Sequence, residues 1–299
     1  MAEFRHTVTI EDAGKEVRDI MRMYFDFSSR LRNKVKREKL VFLNGEQTQG
    51  WYKVHPGDVV SAELPEERSS FPAQEIPLSP VYEDEDIMLL NKQPGLIVHP
   101  TKGHPCGTVA NALMYYQQQH GQSWKIRFVN RLDMDTSGLL IVAKNAYCQN
   151  ELTNQMKSGH LKKTYLSIVS GVIAEDSGTI DLPIGRPDPG DVRRGVMEDG
   201  APSLTKYRVL ERYAGHTLVE ISLETGRTHQ IRVHMSYAGH PVLSDHLYGK
   251  ETPYIMERQA LHAGKLEFDH PVTGKHMIIE AMLPEDMKKA IKYIRQLSV

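Results

Sequence analysis

Asn130-Arg131-Leu132-Asp133-Met134-Asp135-Thr136-Ser137-Gly138 runs straight into Leu139-Leu140-Ile141-Val142, and that junction decides how the 299-residue chain is read. Four consecutive aliphatic residues beside a glycine read as a buried strand. The nine residues before them combine a cation, two carboxylates, two hydroxyls and a glycine, the make-up of a built turn. Such a turn is either a polar loop, in which Thr136 and Ser137 satisfy backbone groups and Asp133 pairs with Arg131, or a mount for a reactive carboxylate.

Outward from this turn, Ile87-Met88-Leu89-Leu90, Tyr165-Leu166-Ser167-Ile168-Val169 and Thr217-Leu218-Val219-Glu220-Ile221 also read as strands. Helical stripes lie between and after them. Cys148, Leu152, Gln155 and Met156 form one, ended by Gly159; Thr228 to Ala238 reads as a helix stopped by Gly239 and Pro241. Pro284 suits the first turn of a last helix with the stripe Met287, Ala290, Ile291, Ile294 and Leu297. Strands and helices interleave irregularly, which predicts an α+β fold.

A second polar cluster, Gly226-Arg227-Thr228-His229-Gln230-Ile231-Arg232-Val233-His234, gathers two arginines, two histidines and a glutamine around a helix start. That is a good place to hold anions and carboxylates. Each histidine alone reads as structural. Two histidines five residues apart do not make a metal site, so no metal is expected.

The N-terminal part differs in character. Val17, Ile20, Met21 and Tyr24 predict a short amphipathic helix, and Ser28 or Ser29 can cap a second one in which Leu31 and Val35 face inward. Between Arg30 and Lys39 six cations, Arg30, Arg32, Lys34, Lys36, Arg37 and Lys39, stand against the single anion Glu38. Val41-Phe42-Leu43 then meets the tight-turn pair Asn44-Gly45, and Val54-His55-Pro56-Gly57-Asp58-Val59-Val60 enters a closing strand. Residues 65–80 carry four prolines and little periodicity, so they read as a linker between a small domain, 1–64, and a larger one, 81–299.

Composition limits the function classes. With 37 Lys and Arg against 38 Asp and Glu the net charge is −1, which excludes a globally basic protein and confines any polyanion to a local patch. Cys106 and Cys148 are too few for a disulfide framework and read as reduced thiols. No run of about 18 apolar residues occurs, so a cytoplasmic protein is expected.

Two resemblances organise these observations. Residues 12–62 resemble the small RNA-binding fold of the ribosomal S-four type, also called the alpha-L motif, with helix, turn and closing strand in the same order. This implies that Arg30, Arg32, Lys34, Lys36 and Arg37 contact RNA phosphates. Arg131-Leu132-Asp133-x-x-Thr136-Ser137-Gly138-Leu139, with Gly226-Arg227-Thr228-His229-Gln230-Ile231-Arg232-x-His234, is similar to the RluA-type pseudouridine synthase family. The similarity extends to Asn91-Lys92-x-Pro94-Gly95, Lys163-x-Tyr165, Gly239-His240-Pro241, Asp245-x-x-Tyr248-Gly249 and Arg258-Gln259-Ala260-Leu261-His262-Ala263.

The family resemblance implies a catalytic domain with a mixed, mainly antiparallel sheet flanked by helices. It implies an isomerase that breaks the N-glycosidic bond of uridine and rejoins the base through carbon 5, with no cofactor. Asp133 is then the nucleophile, attacking carbon 6 of the uracil or the anomeric carbon of the ribose, and Arg232 is its basic partner. Tyr165 matches an aromatic that stacks on the flipped base and assists proton removal, and Leu261 matches an apolar wall. Arg131, Thr136, Arg227 and His229 join Leu261 as substrate-binding residues. Structured RNA, chiefly ribosomal RNA of the large subunit or an assembly intermediate, is the implied partner, and a monomer is expected. Two other classes stand beside this reading: a catalytically silent assembly factor, and a glycosidic hydrolase using Asp135 as its second carboxylate. Three positions depart from the family pattern: Asn130 where His is usual, Ser244 where Gly is usual, and Gly264 where an aromatic is common.

Overall fold

The computed structural model describes residues 4–101, 103–188 and 190–297. An N-terminal unit holds strand β1 (Phe4–Thr7), helices α1 (Val17–Tyr24) and α2 (Ser29–Arg37), and strands β2 (Val41–Leu43), β3 (Glu46–Gln47) and β4 (Val59–Ala62). Its sheet has the order β1-β4-β2-β3 and is antiparallel throughout. Ser28 starts α2 by accepting a hydrogen bond from the Leu31 amide at 3.2 Å. Asn44 and Gly45 both take positive φ, 53° and 86°, which matches the twist of the hairpin joining β2 and β3. Val17, Ile20, Leu31, Val35, Val54 and Val60 form a core of their own under this sheet.

The rest of the chain contributes β5 (Pro80–Glu83), β6 (Ile87–Lys92), α3 (Val109–Gln119), β7 (Arg127–Phe128), β8 (Ser137–Ala143) and α4 (Ala146–Lys157). After these come β9 (Lys162–Ser170), β10 (Ser177–Asp181), β11 (Ile184–Gly185), β12 (Gly195–Val196), β13 (Leu204–Tyr213) and β14 (His216–Leu223). The chain closes with α5 (Gln230–Tyr237), β15 (Leu261–Asp269), β16 (His276–Glu280) and α6 (Glu285–Gln296). Ten strands make one mixed sheet in the order β10-β13-β14-β9-β15-β8-β6-β5, with β16 on β15 and β7 on β8. Strands β8 and β15 run parallel where they pair, and their neighbours pair antiparallel. The expected α+β class and mixed sheet are therefore present.

The continuous aliphatic runs of β6 and β8 follow from burial on both faces. Ile87, Leu89, Leu139 and Ile141 point to the side covered by Cys148 and Leu152 of α4. Their alternates Met88, Leu90, Leu140 and Val142 point to the side covered by Leu113 of α3, Met235 of α5 and Ile294 of α6. Each such side chain contributes about 1.5–3 kcal/mol when fully buried. Gly138, the second residue of β8, has φ 111°, and a Cβ there would lie 2.2 Å from the Ala263 carbonyl oxygen of β15. Only glycine lets these two strands approach so closely.

The 65–80 segment has no regular structure before Pro80, which begins β5. It is nevertheless fastened along its length. The Ile126 amide donates to Ser69 Oγ at 3.0 Å, Asn111 Nδ2 to the Pro72 carbonyl at 2.8 Å, and Gln93 Nε2 to the Pro77 carbonyl at 2.7 Å. Glu67 pairs with Lys34 of α2 at 2.9 Å, with Lys125 at 3.3 Å and with Arg127. Phe4 packs edge-on against Tyr147 of α4, the ring centroids 4.6 Å apart, which joins the N-terminal unit to the large sheet.

Candidate active site

The turn before β8 is closed by the Thr136 amide, which donates to the Asp133 carbonyl at 3.1 Å. Asn130 supports it from beneath: its Oδ1 accepts from the Ile141 amide at 2.8 Å and its Nδ2 donates to the Leu139 carbonyl at 3.1 Å. The unusual Asn130 is thus buried against β8 rather than lying on the outer rim of the loop. Lys92, 2% exposed, donates to the carbonyls of Gln93, Leu96 and Met134 at 3.0, 2.9 and 2.8 Å. Burial pulls its pKa down to about 7, and the neighbouring Arg258 charge acts the same way.

Held by this turn, Asp133 presents a partly exposed carboxylate to a small cleft of about 60 Å³. Arg131, Asp133, Thr136, Tyr165, Arg227, His229, Arg232 and Leu261 all line it, so every catalytic and substrate-binding residue expected from the sequence meets around one opening. Asp135, two residues on, does not line it.

Arg232, on the first turn of α5, makes the central contact. Its Nη1 donates to Asp133 Oδ2 at 3.1 Å, while Nε and Nη2 grip both oxygens of Asp245 at 2.7 and 2.8 Å. Asp245 is wholly buried, and its Oδ1 also accepts from the amides of Leu247 and Tyr248. Burial alone would weaken both charges. The mutual hydrogen bonds outweigh it, holding the Arg232 pKa above and the Asp245 pKa below their ordinary values. The Tyr248 ring lies 5.1 Å from the Arg232 guanidinium.

His229 reaches this centre because its backbone is left-handed, φ 58° and ψ 18°, which delays the helix to Gln230 instead of the expected Thr228. The Gln230 side chain closes the turn by accepting from the Arg227 amide at 3.0 Å and from Thr225 Oγ1 at 2.8 Å. Tyr248 Oη accepts from the Arg194 amide at 2.7 Å and lies 2.9 Å from His229 Nδ1. Burial draws the His229 pKa below its usual value against the pull of Asp133, and the ring's other nitrogen is Nε2. That nitrogen is 4.0 Å from Asp133 Oδ1.

Across the cleft Tyr165, 7% exposed, has its phenol pKa pushed well above the ordinary value, first by burial and then by the Asp133 charge. Leu261 stands at the start of β15. Arg131 is exposed and donates to Thr228 Oγ1 at 3.4 Å; Arg227 donates to the Pro202 carbonyl at 3.1 Å; Thr136 Oγ1 accepts from Gln259 at 3.1 Å.

The helix α2 cations divide between two sides. Lys34 is committed to Glu67 and turns toward the large sheet. Arg32 and Lys36 line a groove with Arg18, Arg22 and Lys39, and Arg30 and Arg37 are exposed. Asp84, Asp86 and His270 bring one possible metal ligand each to within 4.8 Å of one another. His270 Nε2 and Asp84 Oδ2 bond each other at 2.9 Å, Asp84 Oδ1 accepts from two amides, and Asp86 Oδ1 accepts from Asn145, so this cluster is internally satisfied.

Asp245, Tyr248, Lys92 and Arg258 were not singled out as site residues from the sequence, although each falls within a motif of the family pattern. Ser244 adopts φ 58°, the conformation for which glycine is favoured, and its Oγ bonds Thr252 Oγ1 at 2.7 Å. Gly264 lies at a bulge of β15, next to Leu166 and the His262 ring.

A family model described as RNA pseudouridylate synthase matches residues 86–237. The chain belongs to this family. It is 44% identical over 260 residues to the Uncharacterized RNA pseudouridine synthase YlyB of Bacillus subtilis, covering 86% of each chain. It is 42% identical over 257 residues to the Ribosomal large subunit pseudouridine synthase D of Pseudomonas aeruginosa, covering 81% of this chain and 80% of that one. Among solved structures, Human RNA Pseudouridylate Synthase Domain Containing 1 superposes with a TM-score of 0.57 at 28% identity, covering 76% of this chain and 98% of that one. Pseudouridine synthases isomerise uridine to pseudouridine, and RNA is the substrate of this enzyme. Among its described residues no helix is long and apolar enough to cross a membrane.

Proposed function

We propose that the enzyme acts on uridines of large-subunit ribosomal RNA, free or in an assembly intermediate, with Asp133 as nucleophile and without a cofactor. The observation that carries this is the single carboxylate at the cleft, tethered by the buried Arg232 opposite Tyr165 and Leu261. A uracil extruded from the RNA enters between Tyr165 and Leu261, and its ribose comes to Asp133. Attack at carbon 6 or at the anomeric carbon uses the same oxygen, and either route frees the base to rotate. The N1–C1′ bond breaks, the C5–C1′ bond forms, the C5 proton leaves, and N1 gains one.

The raised pKa of Tyr165 keeps its phenol neutral, which suits stacking and leaves little phenolate to serve as a base. Arg131 and Arg227 hold the flanking RNA, with Thr136 and His229 at the cleft wall. Residues 1–64 form the S-four-type RNA-binding domain, 65–80 its connection, and 81–299 the catalytic domain. Two helices packed on a four-stranded sheet, with Arg32 and Lys36 along a basic groove, support that division. The enzyme works as a monomer in the cytoplasm.

The test is incubation of the purified protein with unmodified large-subunit ribosomal RNA, followed by chemical mapping of pseudouridine. Discrete new sites are expected. Modification of transfer RNA instead would refute the substrate, and no modification of any RNA would refute the activity.

A further inference from the structure

Six hydrogen bonds radiate from one side chain that lies outside the cleft. Arg258, 9% exposed, donates through Nη1 to the carbonyls of Asp135 at 2.8 Å, Gln259 at 3.2 Å and Leu261 at 3.3 Å. Its Nη2 donates to Ser137 Oγ at 3.2 Å and to Asp286 Oδ1 at 3.0 Å, and its Nε donates to Asp286 Oδ2 at 2.7 Å. Asp286 is the second residue of α6, and its Oδ1 also accepts from the Met287 amide at 2.8 Å.

The acceptors are not scattered. Asp135 lies outside the cleft but in the same turn as Asp133 and Thr136, which line it, and Leu261 lines it from the start of β15. One planar guanidinium therefore ties the Asp133 turn to the start of β15, and its counter-ion comes from a helix seated on the core by Met287, Ala290 and Ile294. A lysine could not reproduce this, because a single ammonium lacks the fork that reaches both segments and a carboxylate together.

We infer that Arg258 is a positioning residue for the isomerisation, anchored by Asp286, so that the C-terminal helix belongs to the catalytic apparatus although none of it lines the cleft. The inference rests on the reading of Asp133 as nucleophile. Asp286 is 40% exposed, so the ion pair contributes little to stability by itself. Rate is far more sensitive, since a misplacement of about 1 Å can lower it on the order of 100-fold.

The experiment measures single-turnover pseudouridine formation, RNA Kd and thermal unfolding for the full-length wild type and for Asp133→Asn, Arg258→Lys, Asp286→Asn and Asp286→Glu. Asp286→Asn and Arg258→Lys should fold and bind RNA with unchanged Kd, yet react roughly 10- to 100-fold more slowly. Asp286→Glu should recover part of the rate by restoring a carboxylate on α6. Wild-type rates in Asp286→Asn and Arg258→Lys, with Asp133→Asn inactive, would overturn this inference alone. An active Asp133→Asn would overturn the nucleophile assignment beneath it. Failure of Asp286→Asn to fold would assign the pair to the fold and also overturn the inference.

Discussion

Asp133 and Arg232 lie 99 residues apart in the chain and meet through one hydrogen bond, Nη1 to Oδ2, of 3.1 Å. The other edge of the same guanidinium is taken up by Asp245, so the arginine is already fixed before it touches Asp133. Asp133 can therefore change charge or bonding while Arg232 stays in place.

That arrangement separates the two neighbouring carboxylates. Asp133→Asn should abolish pseudouridine formation while the protein stays folded and still binds RNA. Asp135→Asn, changed outside the cleft, should retain activity within a few-fold. Product analysis of the two variants checks this, and an active Asp133→Asn protein would sink the assignment.

Removing the buried anchor should be far more damaging to the fold. Asp245→Leu leaves the buried Arg232 cation with only the partly exposed Asp133 as its counter-ion and should destabilise the enzyme by about 3–5 kcal/mol, with loss of activity. Urea unfolding measures it. A stability within about 1 kcal/mol of wild type would mean that the guanidinium finds water or another partner.

Lys92 predicts an uncommon pH response. Its pKa is about 7 in the folded state and about 10.5 when the chain is unfolded. Between those values the unfolded chain binds the extra proton, so stability gains from rising pH, by up to about 1.4 kcal/mol per unit. Below pH 7 both states carry the proton and the slope vanishes. Comparing wild type with Lys92→Met from pH 6.5 to 9.5 isolates it. Parallel curves would refute the buried-amine account.

Substituting Arg22, Arg32 and Lys36 with glutamine should weaken RNA binding and flatten its salt dependence, by roughly 0.7–0.9 in slope for each phosphate no longer neutralised. Lys34→Gln should alter that slope least, because Lys34 faces Glu67. Filter binding across salt concentrations tests both, and equal slopes in all variants would remove the groove from the RNA interface.

Much of this was legible in the chain. The aliphatic runs at Ile87 and Leu139 and the Cys148–Met156 stripe signal themselves through local periodicity, and the polar turn at Asp133 through its composition. Helix α3 did not, because Val109, Ala110, Asn111, Ala112 and Leu113 are all buried, leaving no polar face to define a stripe. The fastening of residues 65–80 depends on side chains far along the chain, such as Asn111 and Arg127, which proline content does not reveal. Lys34 and Lys36 look alike on a helix, and only the position of Glu67 gives them different partners. His229 reaches Asp133 through a left-handed backbone that few residue types signal in advance.

The close approach at Gly138 and Ala263 bears on the cleft itself. No Cβ fits between the two strands there, so the Asp133 turn enters β8 directly beside the strand that begins at Leu261. Adding even one methyl group at position 138 would force these two segments apart, and with them the opening that they line.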